Sequence, residues 1–193
     1  GTKTLDALEI SDRTQLLGAT LGAGSATDYS SVSLTALTSR LAPSLDLFAD
    51  VIENPAFRPA DFARAQAQQV SGIQQANRSP GAIANRILAA DVYGPQSPYG
   101  RPTSGTEQSV AGLTPADAEA FHDTWFRPDN ATLVVVGDVS MAELTAQLER
   151  ALGGWRAPST PLPVKAPVVT ATAPAKPRVL IVDRAGPQSI ITA

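Results

Sequence analysis

The sequence predicts an α+β fold, and three observations carry that prediction. Residues Ser31–Ala36 alternate apolar and polar side chains with the period of a half-buried strand. Segments on both sides repeat apolar residues every three to four positions, the period of an amphipathic helix. Clusters of proline and glycine separate these stretches into discrete elements. At 193 residues, 43% apolar and 17% charged, the chain fits one globular domain, or one and a fragment, with enough material for a core.

Asp6, with Glu9 three residues on, opens a first helix in which Leu5, Leu8, Ile10, Leu16 and Leu17 form an apolar stripe. Gly18 is placed to end it in the left-handed conformation. Ala19–Ser25 leads into the alternating run, where Val32, Leu34 and Ala36 face one side and Ser31, Ser33 and Thr35 the other. Two adjacent strands joined near Asp28 follow from that pattern. Pro43 suits the first turn of a helix whose Leu41, Leu45, Phe48 and Ile52 share a face, and Asn54-Pro55 stops it. A helix from Pro59 to about Ala76 carries Phe62, Gln66, Gln69 and Ile73 on one stripe, with Val70 beside it. Another, Pro80 to Tyr93, carries Ile83, Ile87 and Ala90. Gly94–Gly105 holds three prolines and three glycines, which predicts an ordered loop or an excursion rather than a regular element.

Thr114-Pro115 followed by Asp117 reads as N-cap, first helical residue and early acid, with Phe121 and Trp125 as aromatic anchors. The apolar run Ala131–Gly137 predicts a strand buried on both faces or nearly so. Ser140 caps a helix bearing Leu144, Leu148, Ala151 and Leu152. Arg156–Pro177 contains six prolines and no apolar periodicity, the composition of a linker. Arg178–Asp183 reads as a further strand, and Ser189–Ala193 is strand-like. The expected organisation is an α+β unit over residues 1–155, a linker over 156–177, and the first strand of a following unit over 178–193.

Composition excludes several kinds of chemistry. With no cysteine and one histidine there is no disulfide scaffold, no Cys/His structural zinc site, no cysteine nucleophile and no multi-histidine centre from this sequence alone. A net charge of −3 does not favour nucleic acid or an anionic membrane as partner. No apolar run is long enough to span a bilayer, and Gly1–Asp6 lack the order of a signal peptide. Gly22-Ala-Gly-Ser25 lacks the Gly-Lys-Ser/Thr of a phosphate loop and leads into a strand, whereas phosphate cradles use helix N-termini. No Gly-x-Ser-x-Gly elbow accompanies His122, which sits mid-helix between Phe121 and Asp123 and reads as a packed or surface residue. Asn77 and Asn130 head glycosylation sequons of the length that arises by chance, the first weakened by Pro80. The carboxylates are scattered singly, with no pair spaced for acid/base work.

Four segments in register resemble the pitrilysin/insulinase-type zinc metallopeptidases, the family of mitochondrial processing peptidase. They are Gly1-Thr-Lys-Thr with Leu17-Gly-Ala-Thr-Leu-Gly22, then Leu45–Phe57, Tyr99–Glu107 and Phe121–Asp138. Leu180-Ile-Val-Asp183 with Pro187-Gln-Ser189 resembles the opening of a next repeat. The resemblance implies a mixed sheet with helices packed on one face, in the LuxS/processing-peptidase-like metallopeptidase-repeat architecture. Such repeats pair to enclose a chamber, and this one is N-terminally incomplete because the family places a strand and part of a helix before Gly1.

In active members an inverted motif, His-x-x-Glu-His, precedes the position of Gly1, and a glutamate on a later helix is the third zinc ligand. Aligning Arg64–Ile73 with that helix puts Ser71 or Gly72 in the ligand's place, and no acidic residue occurs between Asp61 and Asp91. The resemblance therefore implies a non-catalytic repeat with no metal ligand of its own. Any zinc belongs to a catalytic repeat elsewhere, and membership of a peptide-hydrolase family leaves open whether this chain is an enzyme. The implied partners are another peptidase-like repeat or subunit and a peptide substrate, and related bacterial proteins favour periplasm or cell envelope.

In active members extended substrate adds to an edge strand, matched here by Gly22, Ala23, Gly24, Ser25, Ala26 and Thr27, whose small side chains suit close backbone approach. A plain hairpin using glycine for its conformational freedom explains the same residues. The alternative for the whole chain is a structural or assembly subunit of this fold with no peptidase role. The transition-state Arg and Tyr of the family belong to a different repeat and do not transfer to Arg86, Tyr93 or Tyr99.

Overall fold

A computed structural model describes residues 1–165, 167, 178–183 and 189–192. Their elements run α1 (Ala7–Leu16), β1 (Thr20–Ser25), β2 (Ser30–Thr35), α2 (Leu41–Glu53), α3 (Pro59–Ala76), α4 (Pro80–Tyr93), α5 (Glu107–Ala111), α6 (Pro115–Trp125) and α7 (Met141–Leu152). Single 3-10 turns lie at Thr38–Arg40, Pro98–Gly100 and Pro128–Asn130. The chain divides into two compact units, one of residues 1–62 and 114–163, the other of 63–113 and 164–193.

In the first unit β1 and β2 form an antiparallel hairpin with Leu21 opposite Leu34 and Ala23 opposite Val32. Cross-strand partners share a face, so Leu21, Val32 and Leu34 together meet the buried face of α2, formed by Leu45, Phe48 and Ile52. Leu148, Ala151 and Trp155 from α7 and its C-terminal end, and Phe126 from the end of α6, close the same core. Burying Leu45, Phe48 and Ile52 contributes roughly 1.5–3 kcal/mol each, which makes α2 the organising element. Ser44, fully buried on α2, is tolerated because its hydroxyl donates to the Arg40 carbonyl at 2.8 Å.

The opening residues are pinned to the segment after α2. Lys3 N–H donates to Asn54 O and Ala56 N–H to Gly1 O. Arg58 donates to the carbonyls of Thr2 (2.8 Å) and Leu5 (3.2 Å). Phe57 adopts φ +43°, a left-handed conformation that a bulky residue enters only when its surroundings hold it there.

In the second unit the polar members of the α3 stripe find acceptors. Gln66 donates to the carbonyls of Val110 (2.8 Å) and Leu113 (3.0 Å), and Gln69 to that of Ser104 (3.0 Å). The Glu107 carboxylate accepts from Gln74 and Asn77, each at 3.0 Å. Ile73, Ile83 and Val110 are buried. The Gly94–Gly105 loop holds a 3-10 turn at Pro98–Gly100; Gly94 has φ +83°, and a Cβ at Gly100 would collide with the Gly94 carbonyl oxygen.

Local signals predicted the helix ends well. Asp6/Glu9 makes a capping box, Thr114 and Ser140 cap α6 and α7, Gly18 has φ +60°, and α3 and α4 keep their expected limits. Tertiary expectations fared differently. Leu8 and Leu16 of α1 are exposed while only Leu5 of the stripe is buried, because burial needs a neighbour as well as a stripe. Phe126, rather than Phe121, reaches the core. Residues 131–137, expected as a buried strand, pair with no strand among the described residues, and Val134 and Val136 are 80% and 95% exposed. Residues 178–183 and 189–192 likewise carry no strand pairing there. The sheet of the described residues is therefore an antiparallel hairpin rather than a mixed sheet, within a mixed α+β chain.

Candidate functional site

Of the six residues expected to bind peptide, Gly22, Ala23, Gly24 and Ser25 lie on β1, and Ala26 and Thr27 enter the turn. Ala26 N–H donates to Tyr29 O at 2.8 Å, which makes residues 26 and 29 a hydrogen-bonded pair. Antiparallel pairing alternates between bonded and non-bonded pairs. From the register, Gly24 with Ser31, Gly22 with Ser33 and Thr20 with Thr35 exchange the ladder bonds. Leu21, Ala23 and Ser25 then turn their N–H and C=O groups away from β2, and β1 has no second partner strand among the described residues. Beside that edge the side chains are small. Space around a Gly24 Cβ is open, and the Ser25 hydroxyl is engaged with that of Ser30 at 2.7 Å. The arrangement presents donors and acceptors at alternate residues, as strand addition requires. A cleft of about 440 Å³ lined by Arg13, Leu16, Pro43, Asp46 and Asp50, among others, includes no residue of β1.

The expected position of a third zinc ligand is solvent-facing. Ser71 and Gly72 are exposed on α3, and nothing lies near a Cβ built at Gly72. Neither residue offers an anionic oxygen, and among the described residues no three His, Cys, Asp or Glu side chains converge. His122, the one imidazole, is committed elsewhere: Nε2 lies 2.7 Å from the Ile52 carbonyl oxygen, and Nδ1 lies 3.4 Å from Asp123. Its ring stacks on Phe126, centroids 5.1 Å apart, and meets the edge of Phe57 at 5.8 Å. These residues do not fit a zinc ion.

The shifted carboxylates belong to caps and ties. Hydrogen bonds from Thr114, side chain first and backbone second, hold Asp117 below the usual carboxylate range, and Ser140 does the same for Glu143. The Arg127 guanidinium holds Asp129 low. Glu53 alone moves up, through burial and the neighbouring Asp50. The two sequon amides are engaged, Asn77 Nδ2 on Glu107 and Asn130 Nδ2 on the Trp125 carbonyl. Arg86 donates to Asn77 Oδ1, and the rings of Tyr93 and Tyr99 pack together at 5.7 Å. Arg127 and Asp129 lie within the segment Phe121–Asp138 that resembles the family, but their bidentate pairing is set by the turn between them and has no signature in residue type alone.

The profile described as Insulinase (Peptidase family M16) matches residues 1–107, and that described as Peptidase M16 inactive domain matches residues 112–192. The chain belongs to peptidase family M16. An uncharacterized zinc protease of Mycobacterium tuberculosis is 29% identical over 192 residues, covering 99% of this chain and 43% of that protein. One from Bacillus subtilis is 24% identical over 140 residues, covering 72% and 34%. The chain thus spans less than half the length of these relatives. The crystal structure of a peptidase M16 inactive domain from Pseudomonas fluorescens matches with TM-score 0.78 and 27% identity, over 88% of this chain and 40% of that one. Pitrilysin matches with TM-score 0.69 and 19% identity, over 88% and 19%, a likeness of fold alone. No helix among the described residues is long and apolar enough to cross a membrane.

Proposed function

We propose that this chain is a non-catalytic repeat of a zinc metallopeptidase, in which β1 offers its outer edge to an extended peptide while hydrolysis is done by a zinc-bearing repeat elsewhere. The observation that carries the reading is the alternation fixed by the Ala26–Tyr29 bond, which leaves Leu21, Ala23 and Ser25 with outward backbone groups. The exposed Ser71 and Gly72 support the non-catalytic part, as does the match to an inactive domain. In this reading residues 1–155 form one wall of a chamber whose other wall is a second peptidase-like repeat. In the same reading the proline-rich segment 156–177 links this unit to residues 178–193, the opening of the next repeat.

The test is Ala23→Pro in the full-length protein. Proline removes one outward N–H and crowds an incoming strand, while the inward bonds of Gly22 and Gly24 remain. Anisotropy of a fluorescein-labelled extended decapeptide should show affinity weakened about tenfold, with an unchanged far-UV circular dichroism spectrum. Equal affinity removes peptide binding from β1 and leaves a purely structural role for the repeat.

A further inference from the structure

The segment Arg127-Pro-Asp-Asn130 is absorbed by neither the peptide edge nor the metal question, yet every member has a structural task. Pro128–Asn130 is a 3-10 turn, and Asn130 ties it back to the Trp125 carbonyl at 2.9 Å. Asp129 receives Arg127 in a fork, Nε to Oδ1 at 2.6 Å and Nη2 to Oδ2 at 2.7 Å. Arg127 is only 5% exposed, and its remaining donors turn to the proline-rich segment: Nη1 to Thr160 O at 2.8 Å and Nη2 to Pro158 O at 3.3 Å.

We propose that this turn is a clasp that fixes the first residues of the proline-rich segment, Pro158 to Thr160, against the unit they leave. A guanidinium suits the task because its planar fork satisfies a carboxylate on one side and two carbonyls on the other, which a lysine ammonium does not reproduce. Pro158 and Pro161 restrict the backbone on either side of the held carbonyls, so the clasp orients the chain as well as retaining it. The segment's composition reads as a free tether, and the clasp makes its first part a fixed exit. The depressed Asp129 carboxyl agrees with a fork that stays charged.

The absence of cysteine from these 193 residues allows a direct test in this chain. A nitroxide attached at Ser159→Cys, an exposed position between the two held carbonyls, reports mobility of the segment by its electron paramagnetic resonance line shape. A second label at the exposed position Ala146→Cys on α7 reports the unit itself. Arg127→Gln should raise the ratio of mobile to immobile Ser159 label about tenfold, the loss of charge-assisted bonds to two carbonyls, and leave the Ala146 label unchanged. Asp129→Asn, which keeps shape and weakens the fork, should give a smaller rise at Ser159 and is the working variant if Arg127→Gln does not fold. Mobility unchanged at Ser159 overturns the clasp. Equal loosening at both labels also overturns it, because Arg127 would then hold the unit together rather than the segment.

Discussion

His122 is the residue whose removal best separates a structural histidine from a catalytic one. Its Nε2 caps the Ile52 carbonyl, in the last turn of α2, where helical carbonyls lack an intrahelical donor. Loss of that bond costs about 1 kcal/mol, more because the carbonyl is partly buried. The ring also makes two aromatic contacts, with Phe126 and Phe57, each contributing roughly 0.5–1.5 kcal/mol. His122→Ala should therefore destabilise the chain by roughly 2–4 kcal/mol. His122→Phe keeps the ring and loses the bond, while His122→Gln keeps a donor and loses the ring, so each should cost roughly half as much. Urea unfolding followed by fluorescence of Trp125 and Trp155 reads all three, with a midpoint lower by about 1–2 M for the alanine variant. A wild-type midpoint for His122→Ala refutes the structural assignment. Equal losses for alanine and phenylalanine would show that the ring contributes nothing.

Three further outcomes follow from the same geometry. Asp117, Asp129 and Glu143 have lowered folded-state pKa values, so the stability they contribute is complete above the ordinary carboxylate range, about pH 4. It is lost as pH falls through their depressed values; Glu53, raised, acts in the opposite sense, its contribution lost as pH rises through its folded value. Three groups against one predict a falling melting temperature from pH 6 to 3, with a shallower fall in a Thr114→Val, Ser140→Ala double variant; a flat profile would refute the sign. Gly72→Ala, in open space on an α-helix, should stabilise by roughly 0.5–1 kcal/mol, whereas Gly100→Ala should lower the melting temperature sharply, since its Cβ meets the Gly94 carbonyl. Phe48→Ala should cost roughly 3–5 kcal/mol in urea unfolding, because it opens a void where α2 meets the hairpin.

Much of the fold was legible because its signals are local. A cap needs only Asp6 and Glu9, or Thr114 and Asp117, and the alternation of Val32 and Leu34 needs only the pleat of one strand. The run 131–137 departs from its expected strand because an apolar sequence states a preference for burial without supplying the partner that buries it. The candidate edge was half legible. Small residues at 22–27 were visible in sequence, but which of them direct backbone groups outward depended on one turn hydrogen bond between Ala26 and Tyr29. Arg127 was invisible as a clasp, since its acceptors lie 31 and 33 residues away along the chain.

By itself the sequence determined the helix limits, the hairpin, the family resemblance and the lack of an acidic ligand on α3, all of which depend on residue type and short-range spacing. Tertiary structure decided which stripes are buried, which edge of β1 is open, where His122 spends its hydrogen bond, and how Arg127 holds the chain's exit. Those properties arise from groups brought together across long sequence separations, and no local pattern encodes them.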